Sequence, residues 1–320
     1  MIVGYLHHLK NILFREYSFI LRYYLHHHYN IDDTIDFILM VDGKMVHGGL
    51  FDRLKGAISI YAISKVYNKR YGLYFTKPFH LDTYLIPNLY DWRIKDTELY
   101  YSYPKSRPVI AYSELNYPKR LLKERKAQTH FYFGGDIIDI INNKFGTSFE
   151  WAKLYGELFK PSDFLQKQLN VVKREIGADY YAIHLRFLNL LGDMIEPLGG
   201  EILNEEGKKE LAATCLSEIK RVISIQPKCW KPVVFSDSMS FLSLIKVELP
   251  DVSVVSGNVR HIDNISDITE DDHLKVFTDM YLMVGAQKVY SIVGKGMHSS
   301  AFPEYSAKIG GKPFERIQLK

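Results

Sequence analysis

The residues best suited to chemistry lie in one stretch, residues 179–193, which reads DYYAIHLRFLNLLGD. Its aromatic and β-branched run at residues 180–183 predicts a buried inner strand of a parallel sheet. Alternation along that strand places His184 and Arg186 on the same face. The guanidinium of an arginine is a planar fork of donors that suits a phosphate group. The alternative is that Arg186 simply pairs with a surface carboxylate.

The elements that must position these residues follow in regular alternation. We predict helices at 205–225, after Asp237, at 271–285 and after Gly296, and strands at 180–186, 232–235, 252–255, 288–293 and 314–317. Strands and helices at this spacing predict a doubly wound parallel sheet. The glycine fingerprint of dinucleotide-binding proteins is absent, so NAD or FAD is not expected.

Polar residues follow three of these predicted strands. The first strand carries the imidazole and the guanidinium, the second ends in Asp237, and the third leads through glycines to Ser299 and Ser300. Because open α/β sheets bind ligands at the carboxyl ends of their strands, three polar ends favour a phosphate-bearing ligand. The alternative for each residue alone is helix capping, a common use of Asp and Ser.

Asp279 lies inside a predicted helix among Phe277, Met280, Tyr281 and Met283. A carboxylate in apolar surroundings needs hydrogen-bond donors. The edge of a guanine base offers two adjacent N–H groups that a carboxylate can accept in parallel. The alternative is an aspartate on the solvent face of its helix.

The first half of the chain opens with a β-loop-α-β unit: strand 35–41, helix 51–66 and strand 71–75. Gly48 and Gly49 precede the helix, where backbone N–H groups could receive an anion or a sugar hydroxyl. The alternative is a tight turn. An irregular excursion at 76–106, a strand at 107–112 and mainly helical residues at 137–173 follow. We therefore predict three parts: an amphipathic helical segment at 1–34, an α/β domain at 35–173 and a Rossmann-like domain at 174–320.

Composition excludes several classes of function. The chain has 320 residues, 24% of them charged, and a net charge of +4. That charge is too small to indicate nucleic-acid binding. Cys215 and Cys229 have no partner at metal-ligand spacing, which favours a reducing compartment and predicts no metal site.

Residues 1–30 combine apolar and aromatic residues at helical spacing with Lys10, Arg15, Arg22 and five histidines. We favour a helix packed on the protein's own core. The alternative is a basic amphipathic helix in peripheral contact with a membrane. No apolar run in the sequence approaches the roughly 18 residues that cross a bilayer.

With these residues laid out, the chain resembles the fucosyltransferase-type glycosyltransferases. This superfamily includes bacterial α-1,2- and α-1,6-fucosyltransferases, nodulation fucosyltransferases and protein O-fucosyltransferases. Four segments carry the resemblance: HGGLFDRLKG at 47–56, IHLR at 183–186 with Gly192 and Asp193 after it, FSD at 235–237, and the stretch 277–302.

The resemblance implies a GT-B-like architecture, in which two Rossmann-like domains face a cleft. It implies an inverting transfer of fucose from GDP-fucose to a glycan acceptor, with no obligatory metal or other cofactor. The resemblance also implies roles for individual residues. Arg186 would bind the donor diphosphate and stabilise the charge that grows on it in the transition state, His184 and Asp279 would bind the guanine side, and Asp237 would belong to the nucleotide-binding segment. Ser299 or Ser300 would bind the β-phosphate, Gly48, Gly49 and Arg53 would close from the other domain, and Asp193 or Glu196 would be the base for the acceptor.

The sequence departs from the family pattern at three points. Phe187 replaces a second arginine, Phe51 replaces a glycine, and Gly192 and Asp193 are displaced by an insertion. Two alternatives therefore stay open: another nucleotide sugar such as GDP-mannose, or a glycan-binding protein that has lost transfer. We expect a bacterial, cytoplasmic protein of surface-polysaccharide assembly, with the inner face of the membrane as its alternative location.

Overall fold

The computed structural model describes residue 14 and residues 16–25, 36–103, 105–111, 117–193, 200–255, 257 and 270–319. The chain divides into two compact units. Unit 1 comprises residues 1–81 and 87–159, and unit 2 comprises residues 82–86 and 160–320. The predicted boundary after residue 173 falls inside the helix at 163–176, whereas this division falls before that helix. That helix packs on unit 2 through apolar residues such as Leu165 and Leu169.

Unit 1 is built on a four-stranded parallel sheet in the order β2-β1-β5-β4. Its strands are β1 (Asp36–Val41), β2 (Arg70–Phe75), β4 (Ser106–Ile110) and β5 (Gln128–Tyr132), and its helices are α1 (Leu50–Val66), α2 (Tyr117–Leu121), α3 (Ile138–Phe145) and α4 (Trp151–Leu158). Short strands β3 (Leu85–Pro87) and β6 (Phe159–Pro161), most of whose residues belong to unit 2, pair with each other. The predicted β-loop-α-β opening is thus present as β1, α1 and β2.

Strand β5 lies between β1 and β4 and was not predicted. Its sequence, QTHFY, begins with polar residues that are nevertheless buried. Two of them have hydrogen-bond partners that are distant in sequence. Gln128 donates to the carbonyl of Glu98 at 2.8 Å, and the Nδ1 atom of His130 lies 2.6 Å from the hydroxyl of Tyr24. Burial lowers the pKa of His130 to about 3, so the imidazole is neutral and acts as a core residue.

Helix α1 reaches this sheet through Gly56, the last glycine of the HGGLFDRLKG segment. A Cβ atom at this position would lie 2.1 Å from the carbonyl oxygen of Phe133, just after β5. Only glycine allows this close approach of helix and backbone. The segment therefore serves the packing of α1 as well as any ligand.

Unit 2 is built on a five-stranded parallel sheet in the order β11-β10-β7-β8-β9. Its strands are β7 (Tyr180–Leu185), β8 (Lys231–Ser236), β9 (Ser253–Val254), β10 (Val289–Val293) and β11 (Phe314–Gln318), and its helices are α5 (Asp163–Ile176), α6 (Glu205–Ser224), α7 (Met239–Glu248), α8 (Glu270–Gly285) and α9 (Phe302–Gly310). Successive strands run from β7 through β8 to β9, and the chain then returns to place β10 on the other side of β7. This reversal of strand order confirms the predicted doubly wound sheet and places its switch point between β7 and β10.

Residues 82–86 belong to unit 2 although they lie far earlier in the sequence. The ring of Tyr84 stacks on that of Phe277 in α8, with centroids 4.6 Å apart and planes at 9°. Ser162, which caps the start of α5, donates its hydroxyl to the carbonyl of Thr83 at 2.6 Å. Most of the predicted excursion at 76–106 therefore stays with unit 1, but this short strip completes the core of unit 2.

Residues 16–23 are helical, and one face of this segment packs on unit 1. Phe19 and Tyr24 are buried there against Tyr132 and its neighbours. Phe14, Tyr17, Leu21 and Leu25 are exposed by 70%, 62%, 47% and 56%. Packing on the protein's own core thus accounts for one side of the segment only. The rest of the predicted segment at 1–34 lies outside the described residues.

Candidate functional site

Arg186 follows β7 directly and begins a turn whose backbone is held by the next strand. The carboxylate of Asp237, at the end of β8, accepts the N–H of Phe187 at 2.8 Å and that of Leu188 at 2.9 Å. The Nε atom of Arg186 lies 3.8 Å from the same carboxylate. Burial raises the pKa of Asp237 to about 6, while the two backbone N–H groups and Arg186 lower it. Asp237 was predicted to bind a ligand, but its described contacts are to the turn that carries Arg186.

His184 precedes Arg186 on β7 and is buried. Burial, together with the positive charges of Arg186, His298 and Lys275, lowers the pKa of His184 to about 3. The imidazole is therefore neutral at physiological pH and can accept or donate a hydrogen bond. Its ring lies 5.8 Å from that of Phe302 at the start of α9. His184 is thus a buried, uncharged side chain within reach of the charges of Arg186 and Lys275.

The third polar strand end is the loop from β10 to α9. Its backbone approaches β7 directly, because the N–H of His298 donates to the carbonyl of Arg186 at 3.2 Å. Gly296 has a φ of 80°, the left-handed conformation that favours glycine. Ser300 is buried and accepts the N–H of Phe302 at 3.1 Å, while Ser299 is exposed. Ser300 therefore caps the turn into α9, and Ser299 lies on the surface beside it.

Asp279 lies on the inner side of α8, where it forms an ion pair with Lys275 one turn earlier. The ammonium nitrogen of Lys275 is 2.7 Å from one carboxylate oxygen and 2.5 Å from the other. The side chains are 6% and 12% exposed, so the pair is shielded from solvent. Burial raises the pKa of Asp279, and Lys275 lowers it. The buried carboxylate of Asp279 thus has in Lys275 the hydrogen-bond donor that a carboxylate in apolar surroundings needs.

Sequence reasoning missed Lys275 and His298. Lys275 precedes Asp279 by four residues, the spacing at which helical side chains meet, and this was the available signal. His298 stands in the glycine-bearing loop that was singled out for Ser299 and Ser300. Its backbone contact with Arg186 depends on the pairing of β7 with β10, which the sequence alone does not give.

The two residues predicted as acceptor bases have different outcomes. Asp193 lies beside the start of α7, where its carboxylate accepts the hydroxyl of Ser238 at 2.9 Å and the N–H of Ser240 at 2.7 Å. These contacts cap the helix, and both hydrogen bonds are accepted by the same carboxylate oxygen of Asp193. Glu196 lies outside the described residues. Neither role as a base is tested, and both stay predictions.

Gly48, Gly49 and Arg53 lie in unit 1 at the start of α1. Arg53 is buried and donates to the carbonyl of Gly48 at 2.8 Å and to that of Lys77 at 3.2 Å. A Cβ atom at Gly48 would meet the carboxylate of Asp52 at 2.3 Å, whereas one at Gly49 would meet nothing within 4 Å. Arg53 therefore braces the glycine turn. A contact of this turn with a ligand stays a prediction.

Two properties of the described residues bear on the class of site. Within those residues, no group of three or more His, Cys, Asp or Glu side chains could hold a metal ion. In the same part of the chain, no helix is both long and apolar enough to cross a membrane.

Comparison with solved structures finds the same fold in three fucosyltransferase structures. NodZ from Bradyrhizobium is 13% identical, with a TM-score of 0.55 over 85% of this chain and 91% of that one. NodZ α-1,6-fucosyltransferase soaked with GDP-fucose is 14% identical, with a TM-score of 0.54 over 86% and 93%. A variant of Arabidopsis thaliana FUT1 in complex with GDP is 9% identical, with a TM-score of 0.56 over 94% and 74%. No protein-family model and no curated protein matches the chain.

The chain therefore has the mixed α/β fold, with parallel sheets, of the fucosyltransferase-type glycosyltransferases. The predicted fold class and the resemblance are confirmed at the level of the fold. The residues gathered at the switch point of unit 2 are the candidate site of this fold.

Proposed function

We propose that the protein is an inverting glycosyltransferase that transfers fucose from GDP-fucose to a glycan acceptor. The observation that carries the proposal is the meeting of β7 and β10 at the switch point, where the backbone N–H of His298 donates to the carbonyl of Arg186 beside the neutral His184. A guanidinium and a neutral imidazole at the carboxyl ends of parallel strands suit a nucleoside diphosphate. NodZ and FUT1, which share the fold, bind GDP or GDP-fucose in the structures named above.

In this proposal Arg186 binds the diphosphate of the donor. As the bond between sugar and phosphate breaks, negative charge grows on the departing GDP. A fixed guanidinium stabilises that charge more in the transition state than in the bound substrate, and this difference accelerates the reaction. The start of α9 and the hydroxyls of Ser299 and Ser300 are the proposed contacts for the β-phosphate, because helix starts present free N–H groups to anions.

The acceptor hydroxyl must lose its proton as the new glycosidic bond forms. Asp193 and Glu196 are the proposed bases, and Asp193 is exposed although its carboxylate also caps α7. A weak base is sufficient when bond breaking to GDP is far advanced before the acceptor attacks. In this case Arg186 carries most of the catalysis.

The first experiment is a thermal-shift titration with GDP, GMP, UDP and ADP, without added metal. A ligand that binds only the native state raises the melting temperature by mass action. We expect GDP to give the largest shift and GDP-fucose to be hydrolysed slowly without an acceptor. A shift with UDP alone would contradict the guanine assignment, and no shift with any nucleotide would contradict the proposal. Hydrolysis of GDP-mannose instead of GDP-fucose would favour the alternative donor, and binding of GDP without turnover of either would favour a glycan-binding protein.

We also propose a peripheral contact with the cytoplasmic face of a membrane, as suits the assembly of a bacterial surface polysaccharide. The exposed side of the segment at 16–25 presents apolar side chains beside Arg22. Tyr103 lies next to this segment, since its N–H donates to the carbonyl of Tyr24 at 2.9 Å, and the guanidinium of Arg107 lies 5.3 Å from the Tyr103 ring. Apolar and aromatic side chains flanked by cations suit an anionic lipid surface.

A further inference from the structure

The turn between β1 and α1, residues 42–49, packs against the segment at 16–25. The ammonium nitrogen of Lys44 lies 5.6 Å from the centroid of the Tyr23 ring, which belongs to that segment. Met45 packs on the same core cluster as the buried side chains of the segment. The turn and the segment therefore lie together on one side of unit 1.

Hydrogen bonds hold this turn in a fixed place. Asp42, the first residue after β1, accepts the backbone N–H of Lys44 at 3.0 Å and its ammonium at 2.8 Å. The same carboxylate accepts the hydroxyl of Tyr132, at the end of β5, at 3.1 Å. The ammonium of Lys44 also donates to the hydroxyl of Tyr101 at 2.8 Å. The turn is thus anchored both to the carboxyl edge of the sheet and to the residues beside the segment.

Exposed apolar side chains are concentrated on this side of unit 1. Phe14, Tyr17 and Leu21 are three and four residues apart, the spacing that places helical side chains on one face. Val46, in the turn, is 86% exposed, more than any other large apolar residue of the described chain. Single apolar residues on a surface are ordinary, but a group of neighbouring ones marks an interaction surface.

Basic residues accompany these apolar side chains. Three neighbouring ranges contribute them: 16–25, 105–111 and 117–126. Together these ranges contain eight Lys or Arg residues and two Glu residues, a net charge of +6 in a chain whose net charge is +4, and six of the eight are exposed. Arg120 joins the ranges, because it pairs with Glu16 and donates to the carbonyl of Ile110 at 3.3 Å. Apolar side chains beside such an excess of positive charge complement an anionic membrane.

We propose that the acceptor is a glycan anchored in the membrane by a lipid, and that this surface holds the turn at 42–49 against the membrane where that glycan lies; this inference rests on the proposed function. The turn lies at the carboxyl ends of parallel strands, where open α/β sheets bind ligands. It carries Gly48 and Gly49, and a Cβ atom at Gly49 would meet nothing within 4 Å, so the backbone there is open to a sugar.

The short distance between Val46 and the two glycines limits which acceptor the turn can reach. Two residues of chain span at most about 7 Å. An interfacial segment buries its apolar face about 5–10 Å into the boundary between head groups and acyl chains. With Val46 at that boundary, the glycines lie at the level of the head groups or just above them. A sugar attached to a lipid lies at this level, whereas a glycan in solution would have to enter the space between protein and membrane.

The first test measures whether the turn reaches the membrane. Leu21→Cys, Val46→Cys and Val247→Cys each carry a fluorescent label in a Cys229→Ser background, since Cys229 is exposed and Cys215 is buried. The vesicles contain phosphatidylcholine, phosphatidylserine and a lipid with a quencher on its acyl chain. We expect loss of fluorescence at residues 21 and 46 and none at residue 247, on α7 of unit 2. Quenching at residue 21 without quenching at residue 46 would overturn the inference and leave the membrane contact standing. Quenching at neither would contradict the membrane contact as well.

The second test measures which class of acceptor takes the sugar. The probes are a lipid extract in phosphatidylcholine–phosphatidylserine vesicles and the water-soluble fraction, both from the cells that make the protein. With radiolabelled GDP-fucose we expect at least about tenfold more label in the lipid extract, because confinement of enzyme and acceptor to one surface raises their effective concentration. As much label in the water-soluble fraction would overturn the inference. So would a lipid extract that takes up no label while GDP-fucose is hydrolysed, whereas loss of hydrolysis as well would contradict the proposed function.

Two substitutions at one exposed position separate docking from a folding defect. Val46→Asp and Val46→Lys both remove the apolar side chain but place opposite charges against the anionic lipid. Each charge near such a surface changes membrane affinity about fivefold, so Val46→Asp should transfer at least about tenfold less label to the lipid extract than Val46→Lys. Both should hydrolyse GDP-fucose in solution at the same rate, because residue 46 is exposed. Equal transfer to the lipid extract by the two variants would show that the turn does not meet the membrane.

Discussion

The Nε atom of Arg186 lies 3.8 Å from the carboxylate of Asp237, which the neighbouring strand supplies. The same carboxylate accepts the N–H groups of Phe187 and Leu188. Leu188 has a φ of 54°, a left-handed conformation that costs about 1 kcal/mol or more in a residue other than glycine. Its hydrogen bond to Asp237 offsets part of that cost. One side chain thus fixes the peptide that carries the guanidinium, as preorganised charge stabilisation requires.

Loss of Arg186 should affect turnover far more than folding. We expect Arg186→Ala to lower kcat for sugar transfer by about 10²–10³-fold, the scale seen when one group that stabilises transition-state charge is removed. Arg186→Lys should restore part of this rate, since it keeps the charge without the planar fork. The matched control is Arg221→Ala, which removes an exposed arginine paired with Glu218 on α6. Normal turnover in Arg186→Ala would contradict the mechanism.

The pKa of Asp237 predicts a pH dependence. Because burial raises that pKa to about 6, a proton binds the carboxyl as the pH falls through 6. The protonated group has lost one of the acceptor sites that hold the turn of Arg186 in place, so affinity for GDP-fucose should fall below pH 6. GDP-fucose suits this titration because its phosphates do not titrate near pH 6. Asp237→Asn should bind weakly at every pH and lack this step.

Protein stability should move in the opposite direction over the same range. The unfolded carboxyl has a pKa near the ordinary value of 3.8, so between 3.8 and about 6 the native state binds the proton more strongly than the unfolded state. The free energy of unfolding of the wild type, relative to Asp237→Asn, should therefore rise as the pH falls from 6 towards 4. Thermal melts of the two proteins across this range measure the difference. A constant difference would show that Asp237 does not titrate there.

Two glycines of unit 1 should respond oppositely to the same substitution. Gly56→Ala would bring a Cβ atom to 2.1 Å from the carbonyl of Phe133, so α1 must shift and the melting temperature should fall by several degrees. Gly156, inside α4, has nothing within 4 Å of a built Cβ atom. Gly156→Ala should add about 0.5–1 kcal/mol of stability, because alanine loses less backbone entropy in a helix. Similar melting temperatures for the two variants would contradict the packing described for α1.

Phe14 and the exposed face of the segment at 16–25 predict binding to anionic vesicles. Phe14→Ser with Leu21→Ser removes side chains that are 70% and 47% exposed, so folding should be unaffected. Cosedimentation with vesicles containing phosphatidylserine should fall at least about tenfold, since each buried CH₂ group contributes about 0.8 kcal/mol to membrane binding. Val247→Ser, on α7 of unit 2, is the control because Val247 is 76% exposed. Equal vesicle binding by wild type and double variant would contradict the membrane contact.

The sequence predicted most elements of unit 2 because its strands are continuous apolar runs and its helices have clear periodicity. It missed β5 because Gln128, Thr129 and His130 are polar residues that are buried against specific partners. Whether such residues are buried depends on distant groups such as the carbonyl of Glu98 and the hydroxyl of Tyr24. Local pattern cannot supply those contacts.

The candidate site also contains residues that the local sequence pattern predicts and residues that it does not. Arg186 and His184 could be chosen because strand alternation fixes the face on which they lie. The role of Asp237 could not, since a carboxylate after a strand can bind a ligand, cap its own helix or hold a neighbouring turn. Here it holds the turn after β7, fifty residues away in sequence. The partner of Asp279 was within local reach, but its burial depends on how α8 packs.

The strip at 82–86 affects how unit 2 can be made. A fragment that begins at residue 160 would lack Tyr84, so the ring of Phe277 would lose its stacked neighbour and Ser162 its bond to Thr83. During synthesis the strip leaves the ribosome ahead of every other part of unit 2. Its contacts with Phe277 and Ser162 can therefore form only after the helices beyond residue 160 have emerged. Unit 2 therefore cannot be excised intact or transplanted into another protein with a single cut, because a cut before residue 160 leaves the strip on the other fragment.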